Sequence, residues 1–301
     1  MTALARRERS RGPRHARFSR DGVGEREPRA VIPSVARDLI RSWRDGRPRP
    51  SKPSAARPHH VHISDSGMSI AENIAQVRNR IAAAARRAGR NSDQITLMAV
   101  SKTFPAESIR EAYAAGLRVF GENRVQEFAG KAAALRDLSD AQWHLIGHLQ
   151  TNKAAKAAEL FDAVDSIDSV RMAEKLNGFA EGAGKTLSVL IEINVGGEQA
   201  KSGIAPGSDE LEQILQGAPR WANLKIQGLM TVPPYTEDPE GSRPYFRQLR
   251  QIRDFIAACD LPQIGTSVLS MGMSHDFEVA IEEGATCVRV GTAIFGERGK
   301  P

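Results

Sequence analysis

Thr96-Leu97-Met98-Ala99-Val100-Ser101-Lys102-Thr103 is the stretch on which the fold turns. Its four consecutive apolar residues are too few for a helix and read as a short buried strand closed by a lysine. Upstream, Ile70, Ile74, Val77 and Ile81 recur at helical spacing, with Ser69 as N-cap and Gly89 ending the run. Downstream, the pattern after Pro105 predicts a helix ending near Ala115-Gly116. The same alternation continues to the end of the chain. Further strands are predicted at Val119–Gly121, Trp143–Gly147, Ala163–Ile167, Leu187–Asn194, Ile226–Met230, Val268–Met271 and Cys287–Val290. Helical stretches such as Val170–Ala180, Leu211–Gln216 and Tyr245–Ala258 separate them. Eight strands between Met68 and Pro301, a stretch of the usual barrel length, predict a (β/α)8 TIM barrel. A doubly wound open sheet is the alternative, but it would carry a Gly-rich first turn and none is present.

Residues 1–67 read differently. They hold 16 basic and 7 acidic residues and seven of the 16 prolines. The rest of the chain holds 26 basic and 29 acidic, so the net charge of +6 belongs to the N-terminal segment. With little apolar periodicity, that segment cannot offset its ordering entropy and is expected to be disordered. Three readings apply: a nucleic-acid contact, a targeting peptide, or an extension from an upstream start codon with Met68 as the true start. The third is favoured, because Met68-Ser69-Ile70-Ala71-Glu72 opens a well-formed helix. No apolar run approaches the length needed to cross a bilayer, so no membrane span is expected. Two cysteines, Cys259 and Cys287, exclude a disulfide scaffold and suggest a reducing cytoplasm. No Cys/His cluster has zinc spacing, so no metal is expected.

Chemistry in a parallel barrel sits at the C-terminal ends of the strands, which directs attention to the polar residues there. Lys102 follows a buried run. Desolvation disfavours an ammonium at such a position, and a neutral amine forms a Schiff base with an aldehyde. The plainer reading is a lysine snorkelling out of the mouth. Met271-Gly272-Met273-Ser274-His275-Asp276 and Arg289-Val290-Gly291-Thr292 place small residues and hydroxyls after strands seven and eight. Those positions suit a phosphate, or simply tight turns. Arg289 points either inward to a ligand or carboxylate, or outward to the helices. His144 and His148 are four apart, but on a strand and its following loop, so the helical metal-pair geometry does not apply. Gly182-Ala183-Gly184-Lys185-Thr186 imitates a P-loop, but Phe179 stands where its first glycine belongs. Cys259 and Cys287 read as helix and core residues, and His275-Asp276 lacks a nucleophile elbow.

Several motifs together resemble the pyridoxal 5′-phosphate (PLP) homeostasis protein family. They are Ala99-Val100-Ser101-Lys102-Thr103, Phe120-Gly121-Glu122-Asn123-Arg124-Val125-Gln126-Glu127 and Trp143-His144-Leu145-Ile146-Gly147. Lys201-Ser202-Gly203, Gly228-Leu229-Met230, Leu269 through Ser274 and Val288 through Gly296 continue the resemblance, which runs from about Met68 to Arg298. It departs at His148, where many members have proline, a position outside the inferred cofactor contacts. The resemblance implies a barrel of the alanine racemase N-terminal type over residues 68–301. It implies that Lys102 carries an aldimine with PLP and that Ser274, Gly291 and Thr292 hold the phosphate. Arg289 would face the pyridine nitrogen, Asn123 and His144 would line the cofactor, and Met230 would pack near its ring.

An arginine at the pyridine nitrogen disfavours ring protonation and weakens the electron sink that catalysis uses. The related racemases draw a second acid/base tyrosine from a C-terminal β-domain. This chain ends at Pro301, and its tyrosines, Tyr113, Tyr235 and Tyr245, fall on helices or a loop. The expectation is therefore a cytoplasmic, monomeric PLP-binding protein that buffers the cofactor and delivers it to apo PLP enzymes, with no catalytic residues of its own. A PLP-dependent amino-acid racemase or lyase is the alternative. Nucleic-acid binding through the basic segment is a third class and is not expected.

Overall fold

A computed structural model describes residues 68–198 and 202–297. The disorder expected of residues 1–67 falls outside them, as do Lys201 and Arg298. Eight strands run in chain order: β1 Thr96–Val100, β2 Val119–Glu122, β3 Gln142–Leu145, β4 Ala163–Ile167, β5 Leu187–Glu192, β6 Leu224–Met230, β7 Ile264–Met273 and β8 Cys287–Val290. Each pairs in parallel with the next, and β8 pairs with β1, so the sheet closes on itself. Helices follow the strands: α2 Ala106–Ala114, α3 Val125–Ala132, α4 Ala154–Leu160, α5 Val170–Gly182, α6 Asp209–Gly217, α7 Arg243–Ala258, α8 Phe277–Glu282 and α9 Thr292–Phe295. The (β/α)8 barrel expected from the strand count is the architecture of the chain.

α9 is only four residues long, too short to cover the sheet after β8. The helix that precedes β1, α1 at Ile70–Arg87, completes the outer ring. It packs against α2, α8 and α9, and Asn73 Nδ2 donates to the Ile294 carbonyl of α9 at 3.0 Å. A reciprocal cap starts α1: Ser69 accepts from the Glu72 N–H, and the Glu72 carboxylate accepts from the Ser69 N–H.

The main core lies between sheet and helices. There Phe120 and Trp143 stack at 5.1 Å, and Phe128 joins Trp143 to Phe161. Two glycines set backbone approaches. A Cβ on Gly147 would lie 2.4 Å from the Asn123 carbonyl, and one on Gly228 would lie 1.8 Å from that of Val268. The first lets the loop after β3 close against the end of β2; the second accompanies the register shift between β6 and β7.

Candidate functional site

Every second residue of a strand faces the barrel interior. In β1 that column is Thr96, Met98 and Val100, with Lys102 next beyond the strand. Thr96 lines a cavity at the strands' N-terminal end; Val100 and Lys102 line another at the C-terminal end. The other columns follow suit. Gln142 and His144 line the lower cavity and Ile146 and His148 the upper one; Leu190 is below and Glu192 above; Cys287 is below, and Arg289 and Gly291 are above. The lower cavity is about 830 Å³ and the upper about 770 Å³. Size does not choose between them, but chemistry does, because the carboxylates below already have partners. Asp162 accepts from the Trp143 N–H at 2.8 Å, Asp140 holds Arg118 and Tyr113, and Asp165 holds His144.

The upper mouth is built around Lys102. The loop that carries it is gripped from α3. Lys131 Nζ donates to the carbonyls of Ser101 and Phe104, both at 3.2 Å, on either side of Lys102. The same ammonium meets Glu122 at 2.8 Å and Glu127 at 3.2 Å. Glu127 in turn accepts from the Thr103 N–H at 2.5 Å, holding Thr103 at φ 69°, a left-handed conformation a threonine rarely adopts. Ser101 Oγ donates to Glu122 at 2.6 Å. Burial pushes the Glu122 carboxyl above its ordinary pKa, against the pull of Lys131 and Ser101.

Between the ends of β7 and β8, Ser274 Oγ accepts from the N–H groups of Gly291 at 3.2 Å and Ala293 at 3.5 Å. Asp276 accepts from the Met273 N–H at 2.8 Å and secures that turn. Hydroxyl and backbone N–H groups therefore converge where β7 and β8 end, with Thr292 beside them on the wall of the mouth. Arg289 points inward and is 3% exposed. Its Nη1 donates to Ser270 Oγ and its Nη2 to the Thr231 carbonyl, both at 2.7 Å. Burial lowers its pKa, while Asp165, Glu192 and Asp276 favour its charge. Cys287 is pushed up to about 12 by burial first and by Asp165 second, so it remains a thiol.

The mouth thus gathers Lys102, Asn123, Ser274, Arg289, Gly291 and Thr292 of the expected residues. It does not gather His144 or Met230. His144 sits one inward position below Ile146 and faces the lower cavity, with Nδ1 3.1 Å from Asp165. Met230 is fully buried and lines neither cavity. His148, outside the inferred cofactor contacts, also lines the mouth, with Nδ1 2.9 Å from Asp168. The reading from sequence also passed over Glu192 and Ser202, both on the wall of the mouth. The alternation of β5 was the signal available for Glu192; Ser202 had only the Lys201-Ser202-Gly203 motif, because a loop brings it back to the strand end.

The sequence profile of the alanine racemase N-terminal domain matches residues 70–299. The pyridoxal phosphate homeostasis protein of Aquifex aeolicus (strain VF5) is 48% identical over 231 residues, covering 77% of this chain and 99% of the relative. The chain belongs to the pyridoxal phosphate homeostasis protein family. The Pseudomonas aeruginosa homeostasis protein is 45% identical over 230 residues, covering 76% of this chain and 96% of its own length. Among solved structures, PipY of Synechococcus elongatus PCC7942 with PLP bound is 39% identical, with a TM-score of 0.65 over 76% of this chain and all of its own. An alanine racemase from Clostridium difficile 630, at 14% identity and a TM-score of 0.55, shares the fold alone. The profile match leaves the N-terminal segment of this homeostasis-family chain uncovered. Among the described residues, no helix is long and apolar enough to cross a membrane, and no His/Cys/Asp/Glu group could hold a metal.

Proposed function

We propose that this chain is a pyridoxal phosphate homeostasis protein that binds PLP in the upper mouth, buffers it and hands it on. One observation carries the reading: Lys102 ends an inward column in the same cavity as the Ser274–Gly291–Thr292 turn. An amine and an anion cradle in one mouth match the two reactive ends of PLP. The names of the relatives and the PLP bound to PipY support the same cofactor.

The residues fit the group. PLP supplies an aldehyde carbon that primary amines attack. Lys102 provides such an amine, on a loop that Lys131 and Glu127 hold in place. Ser274 Oγ, held by the Gly291 and Ala293 N–H groups, keeps its own O–H to donate to a phosphate. Arg289 brings a positive charge to the mouth and would disfavour protonation of a cofactor ring nitrogen held beside it. Asn123 and Thr292 complete the polar wall. The recipients in this reading are apo PLP-dependent enzymes.

Absorbance spectra of the full chain and of Lys102→Ala, before and after borohydride, test the binding. A violet band in the wild type, absent in the variant and fixed by borohydride onto the peptide holding Lys102, is the expected result. No band and no labelled peptide after adding PLP would overturn it. Delivery is tested by reconstituting an apo PLP enzyme, which should recover faster from the loaded protein than from albumin-bound PLP. Rapid Cα exchange of amino acids in heavy water would instead favour a racemase or lyase.

A further inference from the structure

We propose that the mouth contains a second subsite, in which the Glu192 carboxylate takes the ammonium group of a small primary amine. The subsite deepens the PLP reading above and rests on it for its purpose. Glu192 is the last residue of β5, the strand opposite β1 in the closed order, and it lines the same cavity as Lys102. It is 5% exposed. Its Oε1 accepts from Ser202 Oγ at 3.0 Å, and its Oε2 has no hydrogen-bond partner among the described residues. Buried carboxylate oxygens are almost always satisfied, so one that lacks a donor calls for one from outside the chain.

The charged neighbours identify that donor as a cation. Among the described residues, the charges of Asp168, Arg289 and His148 act on Glu192. Both terminal nitrogens of Arg289 already donate, to Ser270 and Thr231. His148 turns its Nδ1 to Asp168 instead. Glu192 is left with one neutral donor, the Ser202 hydroxyl, and no direct cationic partner among the described residues. A primary amine also suits the cofactor chemistry of the mouth. Such an amine arrives as an ammonium, with a pKa of about 10, and must lose a proton before it can act as a nucleophile. In that step one N–H bond breaks and an O–H bond forms on Oε2. The electron pair stays on nitrogen, and both groups end neutral. Burial raises the Glu192 pKa above the ordinary glutamate value, which makes it a better proton acceptor than a solvated carboxylate.

The test titrates n-butylamine and n-butanol into the PLP-free full chain at pH 7, wild type and Glu192→Gln, by calorimetry. The alcohol matches the amine in shape and lacks its charge. The wild type should bind the amine at least about tenfold more tightly than the alcohol, the size of one charge-assisted hydrogen bond. Glu192→Gln should lose that preference. Equal binding of amine and alcohol by the wild type would overturn the subsite whether or not the variant folds, and so would an unchanged preference in a folded Glu192→Gln. Because no cofactor is present, the outcome is independent of whether borohydride labels Lys102. The subsite and the PLP reading can therefore fail separately.

Discussion

Glu192 and His144 show how single positions in the barrel trade stability for chemistry. The Glu192 pKa is raised by burial, so its neutral form is favoured in the fold. A raised carboxyl contributes stability that is fully present below its unfolded pKa, about 4.3, and lost as pH rises through the folded value. The contribution is smaller at pH 7 than near pH 4. Glu192→Gln, which keeps the shape without the charge, should therefore raise the melting temperature at pH 7, with the gain shrinking toward pH 4. A melting temperature below the wild type at pH 7 would show the carboxylate stabilising the fold. His144 titrates the opposite way. Burial opposes its charge, but Asp165, at 3.1 Å, and Asp162 outweigh it and raise its pKa. Its stabilisation is present below the unfolded histidine value and fades as pH rises through the folded one. Asp165→Asn should lower the His144 pKa, which an imidazole NMR titration would read directly. The inward direction of Lys102, Glu192 and Arg289 follows from strand alternation. The placing of His144 required the register, because only pairing across the barrel says which layer an inward residue occupies.

Among the elements, the grip of α3 on the loop after β1 matters most to the site. Lys131 joins two carbonyls and two carboxylates, and the Glu122 side chain is fully buried. Removing one partner of such a pair strands the other, so Lys131→Met should cost about 3–5 kcal/mol in urea unfolding. Adding Glu122→Gln should recover part of that loss, because the stranded charge is removed. Simple additivity of the two changes would deny the coupling. Borohydride labelling of Lys102 should fall in Lys131→Met even where the barrel remains folded. All eight strands were legible in the sequence, because short β-rich stretches alternate regularly with helical ones. The limits of β7 were not: it runs from Ile264 to Met273, well beyond Val268–Met271. Its first residues, Ile264-Gly265-Thr266-Ser267, lack the apolar content of a buried strand. Pairing of Ile264 with Ile226 recruits them all the same.

At the scale of the whole molecule, the described barrel closes without residues 1–67, and α1 supplies the last helix of its ring. Deleting those residues should leave the melting temperature unchanged within about 1 °C, a shift smaller than a 1 kcal/mol change would give. It should also move the protein from a net charge of +6 to about −3, and so from cation- to anion-exchange retention at neutral pH. A large drop in melting temperature would show that the segment docks on the barrel. The sequence by itself determined the barrel, the basic character of the N-terminal segment, and the family motifs centred on Lys102. Those depend on local periodicity, composition and order, which a chain carries before it folds. Tertiary structure alone decided which cavity each inward residue lines, that Lys131 and Glu127 fasten the Lys102 loop, and that Glu192 faces the mouth with an unsatisfied oxygen. Such facts depend on register, closure and loop return, which bring together residues far apart in the chain.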